Sequence, residues 1–151
     1  MKTLHFEIEI KAPVATVHTT MLDTEHFKDW ISAFHPNSWF QGSWEKGATI
    51  QFLAKDDDGT LNGMSSRIRD HKPNELVRIE HQDYIKNGRV VTEDDSTESF
   101  SGALEEYHFE AIENGTRLKV RADTTKKYED YFKETWPKAL KRLKELCERE
   151  A

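Results

Sequence analysis

The feature that most limits how this chain can fold is a double change of hydrophobic period. Leu4, Phe6, Ile8 and Ile10 alternate with His5, Glu7 and Glu9, the pattern of a half-buried strand. Pro13 then opens a helix at a first-turn position, where its missing N–H costs nothing. Val14, Val17, His18, Met21 and Leu22 recur at helical spacing and give that helix one buried stripe. A second short helix carries Phe27, Trp30 and Ile31 on one side, with Asp23 or Thr24 as its cap. From about Ser38 to Asp123 the period is two. It becomes helical again through Tyr128, Tyr131, Phe132, Thr135, Trp136, Ala139, Leu140, Leu143, Leu146 and Cys147.

Turn chemistry divides the period-two region. Trp39 to Trp44 and Ala48 to Ala54 read as strands joined around Lys46-Gly47, and Asp58-Gly59 turns the chain into Leu61 to Asp70. Lys72-Pro73-Asn74 leads into Leu76 to Ile85, and Asn87-Gly88 is a strong hairpin signal because both residues tolerate positive φ. Glu93 to Ser96 reads as a loop. Phe100 to Ile112, the Asn114-Gly115 turn and Arg117 to Ala122 complete the set, with a bulge expected near Ser101 to Ala103. The last helix spans about 22 residues, roughly 33 Å. Pro137 removes one of its hydrogen bonds, so a kink there or a separate turn before it is expected.

The resulting class is α+β. About seven antiparallel strands form a curved sheet around a long C-terminal helix, with two short helices between the first and second strands, all in one domain over residues 1–151. A strongly curled sheet and one helix cannot fill the space between them, so a cavity walled by inward residues is the expected by-product.

Composition narrows the function. The 22 Lys and Arg against 28 Asp and Glu leave a formal charge of −6, which argues against general nucleic-acid binding. No apolar run approaches the 20 residues of a membrane span. The polar–apolar alternation of the first ten residues lacks the core of a secretory signal. The single Cys147 rules out an internal disulfide framework, so a cytoplasmic setting is expected.

Searches for reactive constellations return little. His5, Glu7 and Glu9 share a solvent face, and His26 and His35 lack partners at ligand spacing, so no metal site is expected. Asp56-Asp57-Asp58-Gly59 fails as a calcium loop. With Gly59 at its sixth position, Ala54 and Ser65 stand where carboxylates are needed. There is no Gly-x-Ser-x-Gly elbow and no phosphate cradle, and Cys147 sits among leucines, so no catalytic residue and no cofactor are assigned. Polar residues on inward strand phases are more informative. Val77, Ile79, His81 and Asp83 share one phase, Met64, Ser66 and Ile68 another, and Tyr107 and Phe109 a third. His81 can orient a ligand or act as a base near neutral pH, and His18 on its apolar stripe is a second candidate.

Particular residues also resemble a known family. A strand ending in Ala12-Pro13, a Val-rich helix, Trp30-Ile31, the Gly42-Ser43-Trp44 turn closing at Gly47, and Ile50-Gln51-Phe52 resemble the start of an SRPBCC (START-like, Bet v 1-like) domain. Trp136-Pro137-Lys138-Ala139-Leu140 with Leu143 is similar to the terminal helix of its bacterial activator-of-Hsp90-ATPase-homologue (AHSA1-like) subgroup. The resemblance covers essentially the whole chain and implies the helix-grip fold. His18 stands where many relatives carry Trp. The eukaryotic co-chaperone's separate N-terminal domain is not expected here, which weakens an Hsp90 role.

The expected function is binding of a hydrophobic small molecule, lipid-like or aromatic, between the sheet and the last helix. The expected lining is Trp30, Trp39, Phe52, Met64, Ser66, Ile68, His81, Tyr107, Phe132, Trp136 and Leu140. Ser66, His81 or Tyr107 would set orientation. The alternatives are a cyclase- or hydrolase-like enzyme using the cavity's polar groups, and an interaction module for an Hsp90-type chaperone. The chain is expected to be a monomer or homodimer.

Overall fold

The computed structural model describes residues 1–91 and 101–150, without the side chain of Glu150. Strand β1 (Lys2–Ile10) is followed by helices α1 (Val14–Leu22) and α2 (Thr24–Ile31). Then come β2 (Ser38–Gly42), β3 (Thr49–Lys55), β4 (Leu61–Lys72), β5 (Leu76–Lys86), β6 (Arg89–Val91), β7 (Ala103–Ile112) and β8 (Gly115–Thr124). A 3-10 turn at Lys126–Tyr128 leads into α3 (Glu129–Glu150). The antiparallel sheet runs in the order β1-β8-β7-β5-β4-β3-β2, with the short β6 paired to β5 alone. The architecture is therefore the expected α+β helix grip. No helix among the described residues is long and apolar enough to cross a membrane.

Local chemistry explains most boundaries. Asn87 and Gly88 both have positive φ, which folds β5 back so that Lys86 pairs with Arg89 and Tyr84 with Val91. Asn74 and Asn114 likewise take left-handed conformations at the β4–β5 and β7–β8 turns. Asp23 caps α2, its carboxylate accepting from the backbone N–H of His26. Pro137 does not end α3, which continues through it, and the separate 3-10 turn precedes the helix. The expected loop at Glu93 to Ser96 and strand start at Phe100 lie outside the described residues.

The bulge lies elsewhere than the expected slip near Ser101 to Ala103. β7 keeps one register with β5 from Leu76–His108 to His81–Ala103, whereas β4 and β5 shift between Ser65 and Ser66 and again between Ile68 and Asp70. At the first shift Ser66 pairs with His81 and Ser65 with Asp83, leaving Gln82 as the extra residue. That residue reverses the phase. His81 faces Ser66 on the inner side and Asp83 does not share that side, while Met64 and Tyr84 rejoin it.

The concave face holds the core. Val17, Met21, Trp30, Ile50, Ile68, Ile79, Leu118, Ala139, Leu143 and Cys147 are inaccessible to solvent, and the second half of α3 packs among them. The Trp30 indole N–H donates to the Met21 carbonyl at 2.9 Å and ties α2 under α1. Arg142 holds α3 to the end of α2 by two bonds to the Asp29 carboxylate, at 3.0 and 2.7 Å. The convex face is charged, and Arg78, His108 and Arg121 surround the buried Glu106 there. Leu143→Ala should cost about 2–5 kcal/mol of unfolding free energy, measured by urea denaturation, because Leu143 is wholly buried and its truncation leaves a cavity in the core.

Candidate functional site

The first half of α3 does not close on the sheet as the second half does. Beneath it lies a cavity of about 410 Å3, a size ordinary for small-molecule pockets. Phe27 and Ile31 of α2, with Phe34 and His35 after it, form one wall. Phe52, Leu53 and Ala54 of β3 and Asn62, Gly63 and Met64 of β4 form the floor. Glu105 and Tyr107 of β7 close the back, and Tyr128, Tyr131, Phe132 and Trp136 form the roof. Asp56, Tyr128 and Tyr131 are the exposed members, so the mouth lies between the start of α3 and the end of β3.

Gly63 permits this geometry. A Cβ there would run into the Phe52 carbonyl oxygen, so any other residue would force β4 away from β3 beneath the cavity. The rings interlock around the space. Phe34 meets Trp136 edge-on at 5.1 Å and Phe132 at 6.0 Å, and Phe27 approaches Phe52 at 6.0 Å. The indole N–H of Trp136 is buried and has no acceptor among the described residues.

One polar chain crosses the inner face. Ser66 Oγ lies 2.7 Å from His81 Nδ1, His81 Nε2 lies 3.1 Å from Glu105, and the Tyr107 hydroxyl donates to the other Glu105 oxygen. With Nε2–H given to the carboxylate, Nδ1 accepts from Ser66, so one tautomer satisfies every member. Burial, reinforced by the neighbouring Glu105 charge, pushes the Tyr107 pKa well above the phenol's ordinary value and keeps the hydroxyl protonated as a donor. The order resembles a Ser–His–carboxylate relay, but its direction is reversed. Ser66 is wholly buried behind the cavity, whereas Glu105 is part-exposed and lines it. A molecule in the cavity therefore meets the carboxylate and the tyrosine of this chain of groups, and not Ser66.

Of the expected lining, Trp39, Phe52, Met64, Tyr107, Phe132 and Trp136 come together around one space. Ser66 and His81 stand one layer behind it and reach it only through Glu105. Trp30, Ile68 and Leu140 are core residues outside the lining, and Trp30 backs the wall at 6.4 Å from Tyr107 and 6.0 Å from Trp136. The sequence reading missed Glu105. It shares the inward phase of Tyr107 and Phe109, and an acidic residue in that apolar phase was the available signal. Phe34 and Tyr131 were also passed over as lining, since neither lies on a strand whose phase could be read.

His18 is not at the cavity. Its Nε2 lies 2.8 Å from Nε2 of His71, whose Nδ1–H donates to the Trp44 carbonyl at 2.8 Å. His71 Nε2 is thus the acceptor and His18 the donor. Burial and the facing His71 lower the His18 pKa below its ordinary 6.5. A folded-state value below the unfolded one makes the native state resist protonation, so stability present above about pH 6.5 is lost as pH falls below it. Replacing the ring by His18→Phe should flatten the fall of unfolding free energy between about pH 6.5 and 5, measured by urea titration at each pH.

Comparison with known proteins places this geometry. A family model described as activator of Hsp90 ATPase homolog 1-like protein matches residues 11–148. No curated protein matches the chain. Among solved structures, an uncharacterised protein from Rhizobium leguminosarum superposes with a TM-score of 0.71 at 22% identity, over 98% of this chain and 95% of that one. The Aha1 dimer from Colwellia psychrerythraea gives 0.67 at 20%, over 95% and 94%. An AHSA1-like protein from Aeromonas hydrophila gives 0.74 at 12%, over 99% and 94%. At these identities the likenesses establish the fold and no activity.

Proposed function

The chain belongs to the activator of Hsp90 ATPase homologue-like family of the SRPBCC, Bet v 1-like proteins, and from that premise we propose that it binds a hydrophobic small molecule beneath the first half of α3. The observation that carries this reading is the aromatic cavity of about 410 Å3 beneath the first half of α3. Water in such a space gains few hydrogen bonds from its walls, while an apolar ligand gains about 25 cal/mol for each Å2 it buries. The Trp136 N–H, which has no acceptor among the described residues, and the Glu105 carboxylate are the polar points that would orient the guest.

Titration with the neutral dye Nile red tests the reading. Wild type should show saturable binding, and Met64→Trp, which fills the floor, should weaken it at least about tenfold with an unchanged melting temperature. Equal binding by a folded Met64→Trp variant would place the dye, and the reading, elsewhere.

The polar chain ending at Glu105 and Tyr107 favours a second reading, an acid–base enzyme acting on a bound ligand. It requires that His81→Ala and Tyr107→Phe each abolish a pH-dependent turnover while leaving the fold intact. Retention of an identified turnover by both variants would remove these residues from any such role. The family's name supports a third, an interaction module for an Hsp90-type chaperone. Titrating the chain into a bacterial Hsp90 should then raise its ATPase rate, and a flat titration would dispose of it.

A further inference from the structure

The cavity's chemistry is lopsided. Apart from three tyrosines, the ionisable groups among its described lining residues are Glu105, Asp56 and one base, His35, which lies 3.3 Å from Asp56 at the mouth. No Lys or Arg lines it among the described residues, and the sequence of residues 92–100 contains none. Glu105 is unlike the other shielded carboxylates of this chain. Glu106 meets Arg78 at 2.8 Å and Glu80 meets Arg69 at 2.6 Å, each a full counter-charge. Glu105 meets His81 Nε2 at 3.1 Å and the Tyr107 hydroxyl. Its carboxylate is hydrogen-bonded by an imidazole and a phenol and meets no Lys or Arg among the described residues.

That charge sits among ring faces. Phe34, Phe52, Phe132, Tyr107 and Trp136 share its cavity, and each ring face is attractive to a cation. A carboxylate in this setting attracts a positive head more strongly than it would in open water, because the apolar walls lower the local dielectric. An anionic amphiphile would instead be desolvated against Glu105 with no Lys or Arg to meet it. The net charge of −6 also favours the approach of cations over anions.

We propose that the cavity takes an organic cation, an alkyl or quaternary ammonium on an aromatic or bulky aliphatic body, with its charged head against Glu105 and its body among the Phe34, Phe52 and Trp136 rings. The inference rests on the ligand-binding reading above and names the chemical class of the ligand.

Calorimetric titration at pH 7 with naphthylmethylamine, naphthylmethanol and naphthoate separates the possibilities, since the three share one ring system and differ in charge. The amine should bind at least about tenfold tighter than the alcohol, and naphthoate weakest. In Glu105→Gln the preference for the amine over the alcohol should vanish. A thermal melt verifies that the variant folds, and if it does not, the wild-type order alone decides. Alcohol or naphthoate binding as tightly as the amine would overturn the inference, as would an undiminished amine preference in folded Glu105→Gln. If all three bind equally, or none binds while Nile red does, the cavity still binds ligands and only the cationic class falls. If neither the series nor Nile red binds, both readings fall.

Discussion

Helix α3 has to cover the concave face of a sheet that curls away from it, and its two halves meet that constraint differently. In the second half, Ala139, Leu140, Leu143 and Cys147 are small or aliphatic enough to press close, and they are almost wholly buried. In the first half, Tyr131, Phe132 and Trp136 reach across a wider gap, and Gly63 lets β3 and β4 stay tightly joined below them. Close packing at one end and bridging rings at the other leave the aromatic cavity, set beside the mouth at Asp56 and Tyr128. The clamp from Arg142, in the second half, to Asp29 holds α2, which carries Phe27 and leads to Phe34, against the helix.

Much of this was legible in the sequence because it rests on local rules. Asn87-Gly88 and Asn114 mark turns by their tolerance of positive φ, and the alternation of Leu4 to Ile10 and the helical stripe ending at Cys147 give their own elements. What was not legible depends on long-range register. A single extra residue, Gln82, decides whether Asp83 joins His81 on the inner face, and no local signal marks it. The choice between lining and core is harder still. Trp30 and Trp136 are both deeply buried aromatics at helical spacing, yet only Trp136 lines the space, because Trp30 lies behind it and Tyr107, at 6.0 and 6.4 Å between ring centres.

The polar interior gives the cavity its character. A chain from Ser66 through His81 to Glu105 and Tyr107 is fully satisfied at its sealed end and presents its charged end to the cavity. Such an arrangement fixes the position and orientation of the carboxylate before any ligand arrives, which reduces the ordering cost of binding. It also separates this molecule from serine hydrolases, in which the hydroxyl is the exposed member. The half-buried His18–His71 pair has a different effect, joining α1 to β4 and making the fold sensitive to acid.

The central claim is that the space beneath the first half of α3 holds a small molecule. Native and denaturing mass spectra of gently purified protein, with solvent extraction of whatever is released, test it most directly. The account predicts a reproducible mass excess in the native spectrum that is lost on denaturation and absent from a folded Met64→Trp variant. An excess retained unchanged by that variant would contradict it, because the bound molecule would then lie outside the cavity.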